Sequence, residues 1–165
     1  MTIRSLIPIL LVIGLVGLCV SPAQGQRINI GGEESGLDGY DEAAIRDLLR
    51  QYENSFNSRD VDWRMSLCLD TYYEYGFEND RFLHVRDYDE TSREVGRYWE
   101  SISSLDYSID EIEITLDGPL AFVRAYTTHI ATNERHSSIV YFSLVKTNGA
   151  WRIAWDSYNI VRRYE

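Results

Sequence analysis

Along Leu120–Ala131, Phe122, Arg124, Tyr126 and Thr128 alternate with Ala121, Val123, Ala125 and Thr127. A strand here puts one arginine and two aromatic rings on a single face. If that face lines a pocket, Arg124 offers a planar two-pronged donor for an anionic ligand. Otherwise it pairs with a neighbouring acid or lies in a dimer interface. His84, His129 and His136 fall on separate strands, and the last two flank the Asn133-Glu134-Arg135 turn as rim residues. Without paired ligand spacing they predict no metal, and nothing in the chain calls for a cofactor. Cys68 sits among Met65, Leu67 and Leu69 and reads as a buried, inert thiol. Twelve tyrosines and four tryptophans must largely fill a core, but a few lining a pocket would suit a ring-containing ligand.

These residues are carried by a chain of 165 residues with 26 acidic and 16 basic side chains. Arg4 and the apolar run Leu6–Val20 have the form of a secretory leader, the run being about 15 residues and short for a spanning helix. Small residues in Ser21-Pro22-Ala23-Gln24-Gly25 predict cleavage after Gly25, so residues 1–25 read as a signal peptide and the mature protein as exported, periplasmic or secreted. An uncleaved membrane anchor is the alternative. Cleavage removes one base and no acid, so the formal charge goes from −10 to 26 acids against 15 bases, or −11. Such a surface disfavours nucleic acid, and no membrane association is expected after cleavage. Residues 26–39 contain Gly31, Gly32, Gly36 and Gly39 and read as a flexible linker. Residues 40–165 form one domain, which with one cysteine left must stand on its hydrophobic core.

Periodicity supplies the elements. Asp41 is a candidate N-cap for a helix carrying Ile45, Leu48, Leu49, Tyr52 and Phe56 on one stripe. Asp60 caps a short second helix with Val61, Trp63, Met65 and Leu67. A third is expected from Thr91 or Ser92, where Thr91 and Glu94 have capping-box spacing, burying Val95, Tyr98, Trp99 and Ile102. Thr71–Phe77 and Arg81–Val85 predict a hairpin. Tyr107–Leu116, Leu120–Ala131, His136–Lys146 and Trp151–Val161 predict four long strands joined at Asp117-Gly118-Pro119 and Asn148-Gly149. Strict alternation puts Trp151 and Trp155 on one face of the last. The fold class expected is α+β, a curved antiparallel sheet wrapped around three helices as a cone.

Tyr52 to Asp62, YENSFNSRDVD, and the closing Asn148-Gly149-Ala150-Trp151-Arg152-Ile153 resemble motifs of the nuclear transport factor 2-like superfamily in its SnoaL-like branch. The resemblance covers about residues 40 to 163. The superfamily includes steroid isomerases, polyketide cyclases, dehydratases and proteins that only bind or assemble, so the fold does not settle the activity. Matching the steroid isomerases places Tyr52 at their oxyanion-stabilising tyrosine, but Gly76 and Val140 where their acids stand. A register slip of two brings Glu74 or Glu78 to the first acid's strand face, where burial would raise a carboxyl toward general-base use. The dehydratases' aspartate falls near Asn57. Ala121-Phe122-Val123-Arg124 also resembles the association domain of calmodulin-dependent kinases, whose other pocket arginines fall near Arg97 and Arg135.

The resulting expectation is a cone binding a small organic, possibly anionic, ligand among Tyr52, Trp63, Arg97, Trp99, Phe122, Arg124 and Tyr126, without a complete catalytic set. One alternative is isomerase, cyclase or dehydratase chemistry by Tyr52 with Glu74 or Glu78. Another is a homodimeric assembly module without ligand, and a homodimer is expected in any case.

Overall fold

The computed structural model describes residues 36–132 and 134–164. The expected leader and most of the glycine-rich linker lie outside the described residues. Helix α1 (Gly36–Ser58) starts inside the segment expected as linker, so Asp41 is not its cap. The Asp41 carboxylate instead accepts from Lys146 Nζ at 2.5 Å and Trp151 Nε1 at 3.1 Å, which ties the helix to the sheet. Helix α2 (Val61–Ser66) follows, with the Asp60 side chain accepting from Trp63 N at 2.8 Å. Strands β1 (Cys68–Glu78) and β2 (Arg81–Asp87) form the expected hairpin. Helix α3 (Tyr88–Ser101) begins ahead of the expected start because Asp87 caps it through Glu90 N, which leaves Thr91 buried within the helix. Strands β3 (Leu105–Asp117), β4 (Leu120–Ala131), β5 (Glu134–Thr147) and β6 (Ala150–Tyr164) complete the unit. Among the described residues no helix is long and apolar enough to cross a membrane.

The six strands make one curved sheet in the order β2-β1-β6-β5-β4-β3. The fold is an α+β cone, with one departure from the all-antiparallel expectation. β3 to β6 form a meander that starts at the far edge, and its last strand arrives beside β1 in parallel. The stripe Ile45, Leu48, Leu49 and Tyr52 of α1 packs into the concave face on Ala121, Val123, Ala125, Val140, Phe142, Leu144 and Ile153. That packing decides which face of β4 points inward. Ala121, Val123 and Ala125 join the buried core that this stripe completes, which Arg124 and Tyr126 stay outside. The arginine-bearing face of β4 is therefore the outer one, with Phe122 50% exposed.

A second departure lies in β6. Leu144 pairs with Ile153 but Ser143 pairs with Trp155, so Ala154 is an extra, bulged residue. The alternation resumes one residue out of step. Trp151 and Ile153 are inside, but Asp156 is inside too and Trp155 is outside, edge-on to Tyr75. Trp151 and Trp155 do not share a face.

Candidate functional site

The concave face and the helices enclose a cavity of about 310 Å³, at the small end of the range for small-molecule sites. Its apolar wall is Phe56, Val95, Trp99, Tyr107, Val140 and Ile160, and its polar lining comes from two groups of residues. The first spans α1, α2, β1, β2 and β6. Asp156, 1% exposed, accepts from the Tyr52 hydroxyl at 3.0 Å and the Tyr72 hydroxyl at 2.9 Å, both on Oδ2. Arg64 is fully buried behind them. Its Nη2 donates to Glu74 Oε2 at 3.0 Å, to the two tyrosine oxygens at 3.3 and 3.2 Å, and stands 3.7 Å from Asp156. The other oxygen of Glu74 meets Arg86 Nη1 at 3.3 Å and His84 Nε2 at 3.4 Å, and the Tyr158 hydroxyl lies 3.4 Å from the same nitrogen. Gly76 makes room for this arrangement, because a Cβ there would stand 2.5 Å from His84 Cε1 and 2.9 Å from the Tyr158 oxygen.

Two carboxyls in this group are pushed in opposite directions. Burial raises both, but for Glu74 the hydrogen bond from His84 and the charges of Arg64 and Arg86 outweigh it and hold the group below the usual range. For Asp156 burial and the Glu74 charge prevail over Arg64 and the tyrosines, and the carboxyl is raised to about 7. Glu74 therefore stays ionised while Asp156 exchanges its proton near neutrality. Carboxyls driven apart by their surroundings are the usual basis of a division into fixed charge and proton carrier.

The second group lies where β4 and β5 approach their turn. His129 and His136 are direct cross-strand partners, both facing inward, with Nδ1 of the first 3.2 Å from Nε2 of the second. The Tyr98 hydroxyl of α3 lies 3.0 Å from His129 Nε2 and donates to Glu134. Burial lowers the pKa of both imidazoles, that of His136 to about 4 with help from His129. Arg163 at the rim pairs with Glu78 and Glu134. On the far side of the core, Cys68 is buried and its thiol is pushed up to about 12, chiefly by burial, so it is inert as expected.

The model of the SnoaL-like domain family matches residues 45–158, most of the chain and most of this site's scaffold. The chain belongs to the SnoaL-like domain family. No curated protein matches it. Among solved structures, this SnoaL-like domain is similar to a protein of unknown function with a cystatin-like fold from Nostoc punctiforme, at 17% identity and a TM-score of 0.63 over 73% of this chain and 91% of that one. A nuclear transport factor 2-like protein of unknown function from Pseudomonas putida has 11% identity and a TM-score of 0.63, covering 73% and 87%. A candidate scytalone dehydratase from Novosphingobium aromaticivorans has 12% identity and a TM-score of 0.67, covering 78% and 89%. At these identities the likeness is one of fold.

Of the residues expected to line the pocket of this SnoaL-like domain, Tyr52 and Trp99 do, and so does Glu74. The others are elsewhere. Trp63 packs against the core from α2, and Arg97 is exposed on α3 beside Glu94. Phe122, Arg124 and Tyr126 are on the outer face, where Arg124 pairs with Glu113 at 3.3 Å and lies over the Tyr126 ring. The structural ion pair open to Arg124 from sequence is the arrangement present. Glu78 pairs with Arg163 instead of entering the cavity. Near Asn57 there is no catalytic acid. Its side chain pairs with both the N–H and the C=O of Tyr107, at 2.7 and 2.8 Å. Sequence reading missed Asp156 because strict alternation from Trp151 sends it outward. It missed Arg64 because an arginine between Trp63 and Met65 reads as the solvent side of a short helix. The His129–His136 pair did carry a signal, since a hairpin centred on residues 132–133 makes them directly opposed.

Proposed function

We propose that the cone binds a small, neutral, ring-containing molecule with a carbonyl or hydroxyl group, and that Asp156 moves a proton on it. The observation that carries this reading is the Asp156 carboxyl, buried in the cavity lining and raised to about 7 beside an ionised Glu74. A neutral ligand fits better than an anion, because Arg86 and Arg163, the arginines that line the cavity, are already paired with Glu74, Glu78 and Glu134. The apolar wall accepts a ring. Oδ1 of Asp156, which takes neither tyrosine hydroxyl, is the atom placed to exchange a proton, with Tyr52 and Tyr72 fixing the carboxyl through Oδ2. On a cyclic ketone the ionised form would take a proton from the carbon next to the carbonyl. The C–H pair moves into the developing enolate, and the same carboxyl returns the proton at another position. The class is isomerisation, cyclisation or dehydration, in which Glu74 sets the working pH instead of acting as the base.

The test uses 2-tetralone as the probe, following loss of its acidic C–H signals in deuterated buffer by proton NMR. Exchange above the buffer rate is expected, falling by about 10²–10⁴-fold in Asp156→Asn. Its pH profile should have a midpoint near 7 that moves to lower pH in Glu74→Gln. Exchange equal to buffer, or unaffected in Asp156→Asn, would overturn the reading. A second inference is homodimerisation through the outer sheet face, supported by the exposed Tyr73, Tyr75, Leu120, Phe122 and Tyr141.

A further inference from the structure

We propose that His129, Glu134 and His136 form a binding site for a first-row divalent cation, with Zn²⁺ as the reference ion, on the cavity wall made by β4, β5 and α3. One ligand atom from each residue can be chosen so that all lie within 4.8 Å of one another. Nitrogens about 2.0–2.1 Å from a tetrahedrally bound zinc are roughly 3.3 Å apart, and the facing ring nitrogens here are 3.2 Å apart. The rings meet at 72° with their centroids 4.5 Å apart.

One further observation favours an ion over a simple chain of hydrogen bonds. His129 Nε2 is held by the Tyr98 hydroxyl at 3.0 Å, and Tyr98 in turn donates to Glu134. That fixes the proton on Nε2, turns the Nδ1 lone pair toward His136, and braces the carboxylate, as outer partners do around metal-binding histidines. His136 Nδ1 is buried with no partner among the described residues, so this imidazole lacks the outer brace that His129 has. Two imidazoles and one carboxylate suit zinc and neighbouring transition metals over calcium or magnesium. Three protein ligands leave a coordination position free, and all three residues line the cavity. A bound cation would therefore be open to an oxygen of whatever occupies it. Asp156 and Glu74 take no part, so the site stands or falls apart from the proposed proton transfer.

Co²⁺ serves as the spectroscopic probe, titrated into the full chain and followed by its visible absorption. One equivalent is expected to bind. Affinity should fall by at least about 100-fold in His129→Gln and in His136→Gln, and by about 10–100-fold in Tyr98→Phe, which removes an outer partner. His84→Gln should leave it unchanged. No binding, or binding that survives in the His129→Gln/His136→Gln double variant, overturns the site. Because an imidazole substitution can unfold the chain, the wild-type protein is also read directly by imidazole nitrogen NMR with Zn²⁺. Movement of the His129 and His136 resonances without His84 supports the site, and unchanged resonances of the pair overturn it.

Discussion

Arg64 has no surface exposure, yet it faces two carboxyls and two phenols. A buried cation of this kind adds little stability in itself, because its desolvation consumes most of the Coulombic gain. Removing it alone is another matter. Arg64→Met should destabilise the fold by about 3–5 kcal/mol in urea unfolding, since Glu74 and Asp156 would stay buried without the cation between them. Adding Glu74→Gln and Asp156→Asn to that variant should recover much of the loss, and a purely additive triple variant would contradict this account. Asp156 also gives a pH signature. Folded, it holds its proton up to about pH 7, whereas the unfolded chain releases it near 3.8. Between those values the folded state binds more protons, so this group's contribution to stability falls as pH rises. The stability of Asp156→Asn relative to wild type should therefore climb from about pH 4 to about pH 7 and then level off, at up to about 1.4 kcal/mol per unit of pH. His129 and His136 act in the opposite sense but titrate in both proteins, so they cancel in the difference. A flat difference curve would show that Asp156 is not raised.

At the scale of elements, the free edge of β3 is closed by α1. Asn57 takes both backbone groups of Tyr107, and Glu53 accepts from Ile109 N at 3.0 Å. Edge strands left open invite pairing with other chains, and here side chains of a helix stand in for the missing strand. Asn57→Ala should cost about 1–3 kcal/mol by stranding those groups and speed hydrogen exchange at the Tyr107 amide. Unchanged exchange would mean the contact is not formed in solution. The same segment shows what was legible from sequence. The stripe from Ile45 to Phe56, the Asp60 cap and the Asn148-Gly149 turn were readable because each is decided within a few residues. The inner face of β4 was not, because alternation alone does not say which face is inside. Ala121, Val123 and Ala125 are placed inside only by the core they share with residues far away in the chain. The polar cluster was least legible of all, since its members come from α1, α2, β1, β2 and β6, and a buried arginine is indistinguishable in sequence from an exposed one.

For the whole molecule, the outer sheet face and the charge pull in different directions. A formal charge of −10 favours separation of copies, but Phe122, Tyr141, Leu120, Tyr73 and Tyr75 leave apolar surface on the convex side. Light scattering should return a dimer that strengthens with added salt, and Phe122→Glu should shift it toward monomer. A wild-type monomer at every salt concentration would remove the proposed interface. The extra residue at Ala154 has a consequence of another kind. It sets the phase of the last third of β6, so pairing Ala154 into the ladder as an ordinary residue would turn Asp156 and Tyr158 out to water and bring Trp155 and Ser157 in, whereas deleting it would leave Asp156 facing inward in plain alternation after Ile153. A descendant that lost this one codon would keep both the architecture and the acid, while one that straightened the strand and kept the residue would keep the architecture and lose the acid. Against solved structures of this fold at 11–17% identity to this chain, an acid at this place has to be traced by counting strand phase from the bulge, and not by matching letters.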